Sequence, residues 1–312
     1  MSKIKLAAVV GPTAGGKTDL AIGISKLFDG EVVSCDSMQV YDFAPVATAS
    51  PTKEDMSQVP HHMVGILRAG ESFSVSKYAE MAHGIIKNIH ERGKLPVLTG
   101  GTGLYYSAVV DNIKFLESGF DERIRKELEN RFDEKGAQSL YDELYAIDNA
   151  AAEKININDR KRIIRGLEIY YSTGMTPTQQ ILHSKEQPSP YDLCAIGITF
   201  RDRQKLYDRI NKRVDIMLEN GLLEEAEYII KNKINGTGMQ AIGVKELRPY
   251  FEGRITLETA VETVKRESRR YAKRQLTWFG RDRRIHWIYA DEICRQDVLE
   301  NARNIVEKFV NL

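Results

Sequence analysis

Eight residues between an apolar run and a helical pattern have the spacing of a phosphate-binding loop. They are Gly11, Pro12, Thr13, Ala14, Gly15, Gly16, Lys17 and Thr18. Glycines let successive backbone N–H groups point inward, and the N-terminus of the following helix adds the positive end of its dipole. Lys17 supplies a positive charge, and the Thr18 hydroxyl suits Mg²⁺. The loop predicts binding of a di- or triphosphate, as in nucleotide-binding and ATP-binding proteins, without showing whether a phosphoryl group is transferred.

An acid and a hydroxyl follow two further predicted strands. Asp36 ends the strand-like segment 31–36, and Thr102 lies in a glycine-rich turn after the strand-like segment 95–99. Ligands bind at the carboxyl edge of open parallel sheets, so both side chains are expected to face the phosphate site. Asp36 could act as a general base, as a water-mediated partner of Mg²⁺, or only as the cap of a turn. Thr102 could equally be the N-cap of the next helix.

A strongly basic helix is predicted near the C-terminus of the chain. At 100° per residue, six cations fall on one half of its circumference, with only Glu267 among them. They are Lys265, Arg266, Arg269, Arg270, Lys273 and Arg274. Because such charges repel one another, the pattern favours a surface that follows nucleic-acid phosphates over a solvated charged face. Trp278 lies on the other half and is expected to anchor the core.

A second predicted helix carries Arg209 and Arg213 four residues apart on one face. One of these guanidinium groups could clamp a phosphate. The alternative is an ordinary salt-bridged face beside Asp202, Asp208 and Asp215, and the sequence does not decide between the two.

Composition limits the remaining classes of protein. The 312 residues are 42% hydrophobic and 29% charged, enough for a sizeable core and two domains. With no 18-residue apolar stretch, no signal-peptide pattern and three unpaired cysteines, we expect a cytoplasmic protein without a membrane span or a zinc site. Adjacent His61 and His62 have no second metal ligand at suitable spacing, so the expected metal is Mg²⁺ on oxygen atoms.

Alternating strand and helix patterns predict an α/β fold, with a parallel sheet core flanked by helices. Strands are predicted at 6–10, 31–36, 95–99, 193–200 and 284–290, and helices at 19–27, 76–92, 202–220, 256–279 and 297–310, with helical segments also continuing to 248. Residues 42–72 contain three prolines and are predicted to be mostly loop or short helix. From about residue 113 to residue 190 only helices are predicted, at 121–135, 137–146 and 159–171. We therefore expect a core of 1–113 and 191–312 with an inserted all-helical domain at 114–190.

Several separate stretches together resemble the bacterial tRNA dimethylallyltransferases. They are GPTAGGKT at 11–18, DSMQ at 36–39, GGTGLY at 100–105, ND at 158–159 with RIIRGLE at 162–168, QAIG at 240–243 and AKRQLTWF at 272–279. The resemblance covers nearly the whole chain in order. It implies a P-loop NTPase-like core with an inserted helical domain, and transfer of a dimethylallyl group from dimethylallyl diphosphate to N6 of adenosine 37 of tRNA, next to the anticodon.

The resemblance also implies roles for individual residues. The loop from Gly11 to Thr18 would hold the leaving diphosphate with Mg²⁺ on Thr18, Asp36 would be the base, and Lys17, Thr102 and Arg213 would complete the catalytic set. Contacts to the anticodon stem-loop of tRNA would come from Asp36, Ser37, Met38, Gln39, Thr102, Arg125, Lys161, Arg162, Ile163, Ile164, Arg165, Gln240, Ala241, Ile242, Gly243, Lys245, Lys273, Arg274, Gln275 and Trp278. We expect the protein to act as a monomer.

The chain departs from the usual family pattern at four positions. Gly15 stands where Ser is common, Lys161 where Gln is usual, Val244 where Tyr is usual and Gly280 where Arg is frequent. None of these changes removes a proposed catalytic group. Two enzyme classes remain as alternatives, a P-loop small-molecule kinase and an adenylate-directed prenyltransferase. A non-enzymatic RNA-binding module would leave the phosphate loop unexplained.

Overall fold

The computed structural model describes residues 3–115, 122–184, 186–232, 234 and 240–311. It divides into two compact units, Met1–Val110 with Pro190–Leu312, and Asp111–Ser189. Position 121, where the first inserted helix is predicted to begin, and positions 233 and 235–239, in the predicted helical stretch up to 248, lie outside the described residues.

A parallel sheet forms the centre of the first unit. Its strands are β1 (Ile4–Val10), β2 (Gly30–Ser34), β3 (His61–His62), β4 (Leu95–Gly100), β5 (Tyr191–Thr199) and β6 (Ile285–Tyr289). They lie in the order β3-β2-β4-β1-β5-β6, and each neighbouring pair is parallel. The predicted α/β class with a parallel sheet is confirmed. Because β1 and β4 are central and covered on both faces, their sequences are almost continuously apolar.

Helices cover both faces of this sheet, since alternate residues of each strand point to opposite sides. Leu6, Ala8 and Val10 of β1 face α3 (Val75–Glu91) and α4 (Gly103–Val110). Ala7 and Val9 face α1 (Lys17–Leu27) and α13 (Arg295–Val310). The two faces therefore have separate hydrophobic cores, and the sheet holds the carboxyl ends of its strands in a fixed register.

The short strand β3 lies in a segment that is predicted to be loop, and that prediction is wrong at this point. Its two residues pair with Val32 and Val33. The His62 ring makes a 2.8 Å hydrogen bond with the buried carboxylate of Glu31, which also accepts from Arg92 at 2.5 and 2.7 Å. Those hydrogen bonds, from Arg92 first, lower the pKa of Glu31 to about 2. The strand is too short for its periodicity to be read, and side-chain pairing across the sheet edge fixes it instead.

A group of helices at the carboxyl edge of the sheet completes the first unit. They are α9 (Arg203–Glu219), α10 (Leu222–Lys231), α11 (Val244–Phe251) and α12 (Leu257–Phe279), whereas the short α2 (Lys53–Gln58) lies beside α1. Helices α9 to α12 pack around Val214, Leu222, Ile229, Leu247 and Val264. Asp202 caps α9 by accepting from the Gln204 N–H, and Thr256 caps α12 by accepting from the Thr259 N–H. Both caps are consistent with the boundaries predicted from the sequence.

The second unit is helical throughout its described residues. It contains α5 (Glu122–Ile147), α6 (Asn149–Ala152), α7 (Arg160–Thr173) and α8 (Pro177–Ser184). Gly136 interrupts α5 with a φ of 79°, where two helices are predicted to meet, and only glycine adopts that conformation at little cost. Leu128, Leu140, Leu144 and Leu167 form its core. Neither α6 nor α8 is predicted, because each is only two turns or shorter.

Candidate active site

The phosphate loop runs from the end of β1 into α1. Gly11 and Gly16 have φ values of 144° and 98°, and Ala14 also has a positive φ of 59°. A Cβ on Gly11 would approach the Ile198 carbonyl oxygen to 2.3 Å, so this position requires glycine. The alternation turns backbone N–H groups toward one concave side, which is the geometry of an anion site. At Gly15, which departs from the usual Ser, a Cβ would lie 3.0 Å from the Pro12 carbonyl oxygen.

Lys17 lies at the start of α1, partly buried beneath this loop. Its Nζ atom donates to the Pro12 carbonyl oxygen at 2.7 Å. Burial first, and then the neighbouring charge of Arg213, lower the pKa of Lys17 to about 8, although Asp36 opposes both effects. An anion in the loop would favour the charged form, because it would supply the counter-charge that the protein supplies only in part.

Arg213 and Arg209 of α9 reach the same loop from its open side. Arg213 Nη1 donates to Thr13 Oγ1 at 3.3 Å, and Arg209 Nε donates to the Ala14 carbonyl oxygen at 3.1 Å. Burial lowers the pKa of Arg213, and Asp36 opposes this effect. Within the described residues, no carboxylate forms an ion pair with Arg213. Of the alternatives left open for this helix, the structure favours the phosphate clamp over the salt-bridged face.

Asp36 lines the opposite wall of the site, and Thr102 contacts the segment that follows it. Asp36 follows β2 and accepts from the Met38 N–H at 2.9 Å, while Thr102 Oγ1 accepts from the Ser37 N–H at 2.9 Å. The Thr102 N–H in turn donates to the Cys35 carbonyl oxygen at 3.2 Å. Thr102 precedes α4, but its hydroxyl is used across the loops and toward Ser37 Oγ at 3.2 Å. The two predicted catalytic groups are thus tied together by backbone and hydroxyl contacts.

The phosphate loop, Asp36, Arg209 and Arg213 line one cavity of about 720 Å³. Its polar wall includes the loop from Thr13 to Thr18, Asp36 and Arg213, and Ser37, Met38 and Gln39 line it as well. Val32, Ile210, Val214, Met217 and Ile242 give it an apolar side. The cavity can therefore take a molecule with an anionic head and a small apolar tail.

The residues present fit a Mg²⁺ ion held mainly by its ligand. Thr18 and Asp36 offer oxygen atoms to the same cavity. Mg²⁺ keeps several waters and is commonly bound by one or two protein oxygens together with substrate phosphates. Among the described residues there is no group of three or more His, Cys, Asp or Glu side chains arranged to hold a metal. The donor set is compatible with Mg²⁺, which stays a prediction.

Several cations of the basic helix α12 have acceptors within the protein. Lys265 is only 16% exposed and pairs with Asp215 at 2.8 Å, Arg270 pairs with Glu267 at 2.7 Å, and Arg269 donates to Asn211 at 2.5 Å. Helical projection places these cations on one face but does not show the acceptors that α9 and Glu267 offer them. Binding of nucleic-acid phosphates by this face of α12 stays a prediction.

Two further residues of α12 are placed differently from the prediction. Trp278 is 41% exposed and packs against Gly103, so it is not a core anchor. Gln275, predicted to contact tRNA, is only 4% exposed, and its amide bonds to Thr13 and Gly101 inside the protein. Lys273 is exposed, and Arg274 lies over the Tyr271 ring at the cavity. Trp278, Lys273 and Arg274 are accessible for the predicted RNA contacts, whereas Gln275 has another role.

The other predicted tRNA contacts fall into accessible and buried sets. In the second unit, Lys161 is exposed and Arg162 and Arg165 carry substantially exposed side chains, whereas Ile163 and Ile164 lie in the core. Direct side-chain contact of these two isoleucines with tRNA is corrected accordingly, since a helix that presents arginines outward must bury the intervening face.

Arg125, also in the second unit, is half exposed and pairs with Glu129 at 3.2 Å. In the first unit, Gln240 and Lys245 are exposed. Ile242 is partly buried, and Gly243 is buried. Ala241 is buried beside the cavity. Val244, where the family usually has Tyr, is fully buried.

Within the described part of the chain, none of the helices combines the length and the apolar character that a membrane span requires.

Comparison with known proteins adds a consistent set of relatives. A family model described as IPP transferase matches residues 39–283. The chain is 49% identical over 305 residues to a tRNA dimethylallyltransferase of Halalkalibacterium halodurans, covering 97% of each chain. It is 45% identical over 293 residues to a protein of the same name from Caldanaerobacter subterraneus, covering 93% of each chain.

Solved structures show the same similarity. A tRNA isopentenylpyrophosphate transferase of Bacillus halodurans aligns with a TM-score of 0.74 at 44% identity, covering 98% of this chain and 96% of that one. A eukaryotic dimethylallyltransferase acting on tRNA aligns with a TM-score of 0.81 at 27% identity, covering 98% of this chain and 79% of that one. Sequence and fold thus point to the same relatives over nearly the full length.

Proposed function

This chain belongs to the IPP transferase family, and on that premise we propose that it transfers a dimethylallyl group from dimethylallyl diphosphate to N6 of adenosine 37 of tRNA, releasing diphosphate. The observation that carries the proposal is the single cavity that joins a phosphate loop, an apolar side and the Asp36 carboxylate. A kinase cavity would hold a nucleoside triphosphate beside a polar phosphoryl acceptor, whereas a five-carbon tail fits the apolar side next to the loop.

The phosphate loop stabilises the leaving group. As the bond between C1 of the allyl group and the bridging oxygen breaks, both electrons go to the diphosphate. Charge therefore develops where the loop N–H groups, Lys17 and Arg213 converge. Preorganised donors directed at developing charge commonly provide the largest single contribution to rate enhancement. Mg²⁺ bound by Thr18 and the phosphates would supply further positive charge to the leaving group.

Asp36 acts on the nucleophile. The N6 amine of adenine is a weak nucleophile because its lone pair is delocalised into the ring. As nitrogen forms its bond to C1, one amine proton passes to the Asp36 carboxylate, a step worth roughly 10² to 10⁴ in rate. Thr102 Oγ1 accepts a hydrogen bond from the Ser37 N–H at 2.9 Å. Thr102 therefore orients the segment that carries Asp36, beside the incoming base.

The RNA substrate must bring its base to the cavity. Asp36 and the loop lie inside a walled cavity, so the adenine has to leave the stack of the anticodon loop. Unpaired loop bases are the part of an RNA that proteins read most readily. Exposed cations and aromatic groups suited to such contacts are Lys273, Arg274 and Trp278 on α12, and Lys161, Arg162 and Arg165 in the second unit.

The proposal is tested by supplying labelled dimethylallyl diphosphate with unmodified tRNA or with AMP, and by a separate incubation that contains ATP and no prenyl donor. We expect label to enter tRNA at the adenosine beside the anticodon, and little product with AMP. A tRNA in which only that adenosine is replaced by guanosine is the matched control and should remain unlabelled. Efficient transfer to AMP would support an adenylate-directed prenyltransferase, and ATP turnover without prenyl transfer would support a kinase.

A further inference from the structure

Gln275 of α12 connects the two glycine-rich loops of the site. Its Oε1 atom accepts from the Thr13 N–H at 2.7 Å, and its Nε2 atom donates to the Gly101 carbonyl oxygen at 3.0 Å. The side chain is only 4% exposed, so these bonds do not compete with bulk water. One planar amide therefore joins the phosphate loop to the turn that precedes α4.

The fit around this amide is close. A Cβ added to Gly101 would lie 2.1 Å from Gln275 Nε2, so the turn can approach α12 only because position 101 is glycine. The Tyr271 side chain, one helical turn earlier on α12, lies beside Gln275 and Thr102. The hydrogen bonds to Thr13 and Gly101 thus fix the orientation of the amide, and a shorter or differently shaped side chain would not reach both loops.

The two loops carry the two halves of the reaction. Thr13 belongs to the loop that would hold the leaving diphosphate, and its Oγ1 accepts from Arg213 at 3.3 Å. Gly101 precedes Thr102, whose Oγ1 holds the Ser37 N–H, and Ser37 follows Asp36. The amide of Gln275 therefore lies on a path of hydrogen bonds and short backbone links between the leaving-group side and the base side.

We propose that Gln275 is a positioning residue that fixes the distance between the diphosphate and Asp36, and so sets the alignment of the amine, the allyl carbon and the leaving oxygen. This inference rests on the proposed prenyl transfer. It replaces the direct tRNA contact predicted for Gln275. Such alignment affects the transition state more than the binding of either substrate, since a misplacement of about 1 Å can cost on the order of 10²-fold in rate.

The first test compares Gln275→Met with the wild-type protein. Methionine has a similar volume but provides neither of the two strong hydrogen bonds. We expect kcat to fall roughly 10- to 100-fold, while KM for dimethylallyl diphosphate and Kd for tRNA change by less than about 3-fold. Ser25→Ala, which alters another buried polar side chain of the same unit, is the matched control and should keep the wild-type kcat.

The second test uses Gln275→Glu, whose neutral acid has the same shape as the amide. When protonated, its C=O can accept from the Thr13 N–H and its O–H can donate to the Gly101 carbonyl. When ionised, it can only accept, and it adds negative charge beside the diphosphate. Burial raises the pKa of such a carboxyl, so its kcat relative to wild type should increase as the pH falls. Asp36, Lys17, Tyr271 and Arg274 are unchanged in both proteins, so the ratio isolates the new group.

The outcomes separate this inference from the proposed function. If the wild-type protein does not prenylate tRNA, the proposed function fails and the inference fails with it. If wild type turns over and Gln275→Met keeps its kcat, or Gln275→Glu has the same relative kcat at every pH, only the inference is overturned. A variant that is merely less stable would melt earlier but show wild-type kcat per folded molecule, which also overturns it. Should Gln275→Met fail to fold, the pH profile of Gln275→Glu decides.

Discussion

Two groups of cations in the first unit are built in opposite ways. Lys17 and Arg213 are partly buried at the phosphate loop, where they donate to the Pro12 carbonyl and the Thr13 hydroxyl. On α12, by contrast, Lys265 pairs with Asp215 and Arg270 pairs with Glu267. Burial lowers the pKa values of the first pair, whereas the pKa of Lys265 is raised by its bond to Asp215.

This difference shows that the number of cations in a stretch does not measure its readiness to bind an anion. A partly buried cation that forms no ion pair is strongly stabilised by an incoming anion, because the opposite charge compensates for the water contacts that burial removed. A surface cation that already has a carboxylate must exchange one partner for another, and such pairs contribute little either way. The loop has few charges and α12 has many, yet we expect the loop to bind its anion more strongly per charge.

The largest effect is expected from removing the base that faces the loop. Asp36→Asn should lower the single-turnover rate of prenyl transfer by 10² to 10⁴, because the amide cannot take the proton from the amine. Binding of diphosphate and tRNA should remain nearly unchanged. Asp215→Asn, which removes an acid that pairs on the α12 side, is the control and should keep the wild-type rate. Recovery of Asp36→Asn at saturating Mg²⁺ would instead make Asp36 a metal partner.

The cations at the phosphate loop are tested next, by a substitution of Lys17. Lys17→Met should reduce kcat/KM for dimethylallyl diphosphate by roughly 10² to 10³, the usual effect of losing one donor at a developing oxyanion. Lys265→Met is the matched change on α12 and should alter that parameter by less than about 3-fold, since its cation is already paired. A loss of tRNA affinity in Lys17→Met, measured by filter binding, would indicate that the loop holds the RNA backbone instead.

Much of this comparison could be predicted from the sequence, because some patterns depend only on neighbouring residues. The loop from Gly11 to Thr18, the end of β2 before Asp36 and the caps at Asp202 and Thr256 are all local signals. The predicted membership of the tRNA dimethylallyltransferase family is confirmed by the relatives over nearly the full chain.

What the sequence could not show depends on which elements meet. The pairing of Lys265 with Asp215 joins two helices fifty residues apart, and Gln275 reaches loops more than 170 residues away. Trp278 was predicted to be a core residue because helical projection places it on the apolar half of α12. In the structure its side chain is 41% exposed, because the rest of the protein covers it only in part. The signal for Gln275 was present in part, since a glycine pair at 100 and 101 indicates close approach of another group.

A smaller and pH-dependent effect follows from the pKa of Lys17, which is about 8 in the free protein. Bound diphosphate favours the charged form and raises this pKa, so binding takes up a proton when the pH lies above 8. Affinity should therefore be highest below pH 8 and fall by up to about 10-fold per pH unit above it. Calorimetry with inorganic diphosphate measures this, and the affinity ratio of wild type to Lys17→Met should carry the same break. A ratio that is independent of pH would contradict the assignment of the break to Lys17.

The smallest effect distinguishes paired from unpaired cations within α12 itself. Lys273 is exposed and forms no ion pair within the described residues, whereas Arg270, three positions earlier, donates to Glu267 at 2.7 Å. If both face RNA, Lys273→Ala should reduce the slope of log K for tRNA against log salt by about 0.7 to 0.9, the value for one phosphate contact. Arg270→Ala should reduce the slope by less, because its charge is already balanced. Both substitutions should change the free energy of unfolding by no more than about 0.5 kcal/mol, since they lie on an exposed face.

Filter binding at several salt concentrations, with thermal melts alongside, provides the measurement. Equal slopes for the two variants would show that the ion pair does not set availability, and an unchanged slope for both would mean that this face of α12 is only solvated and that the RNA is held elsewhere.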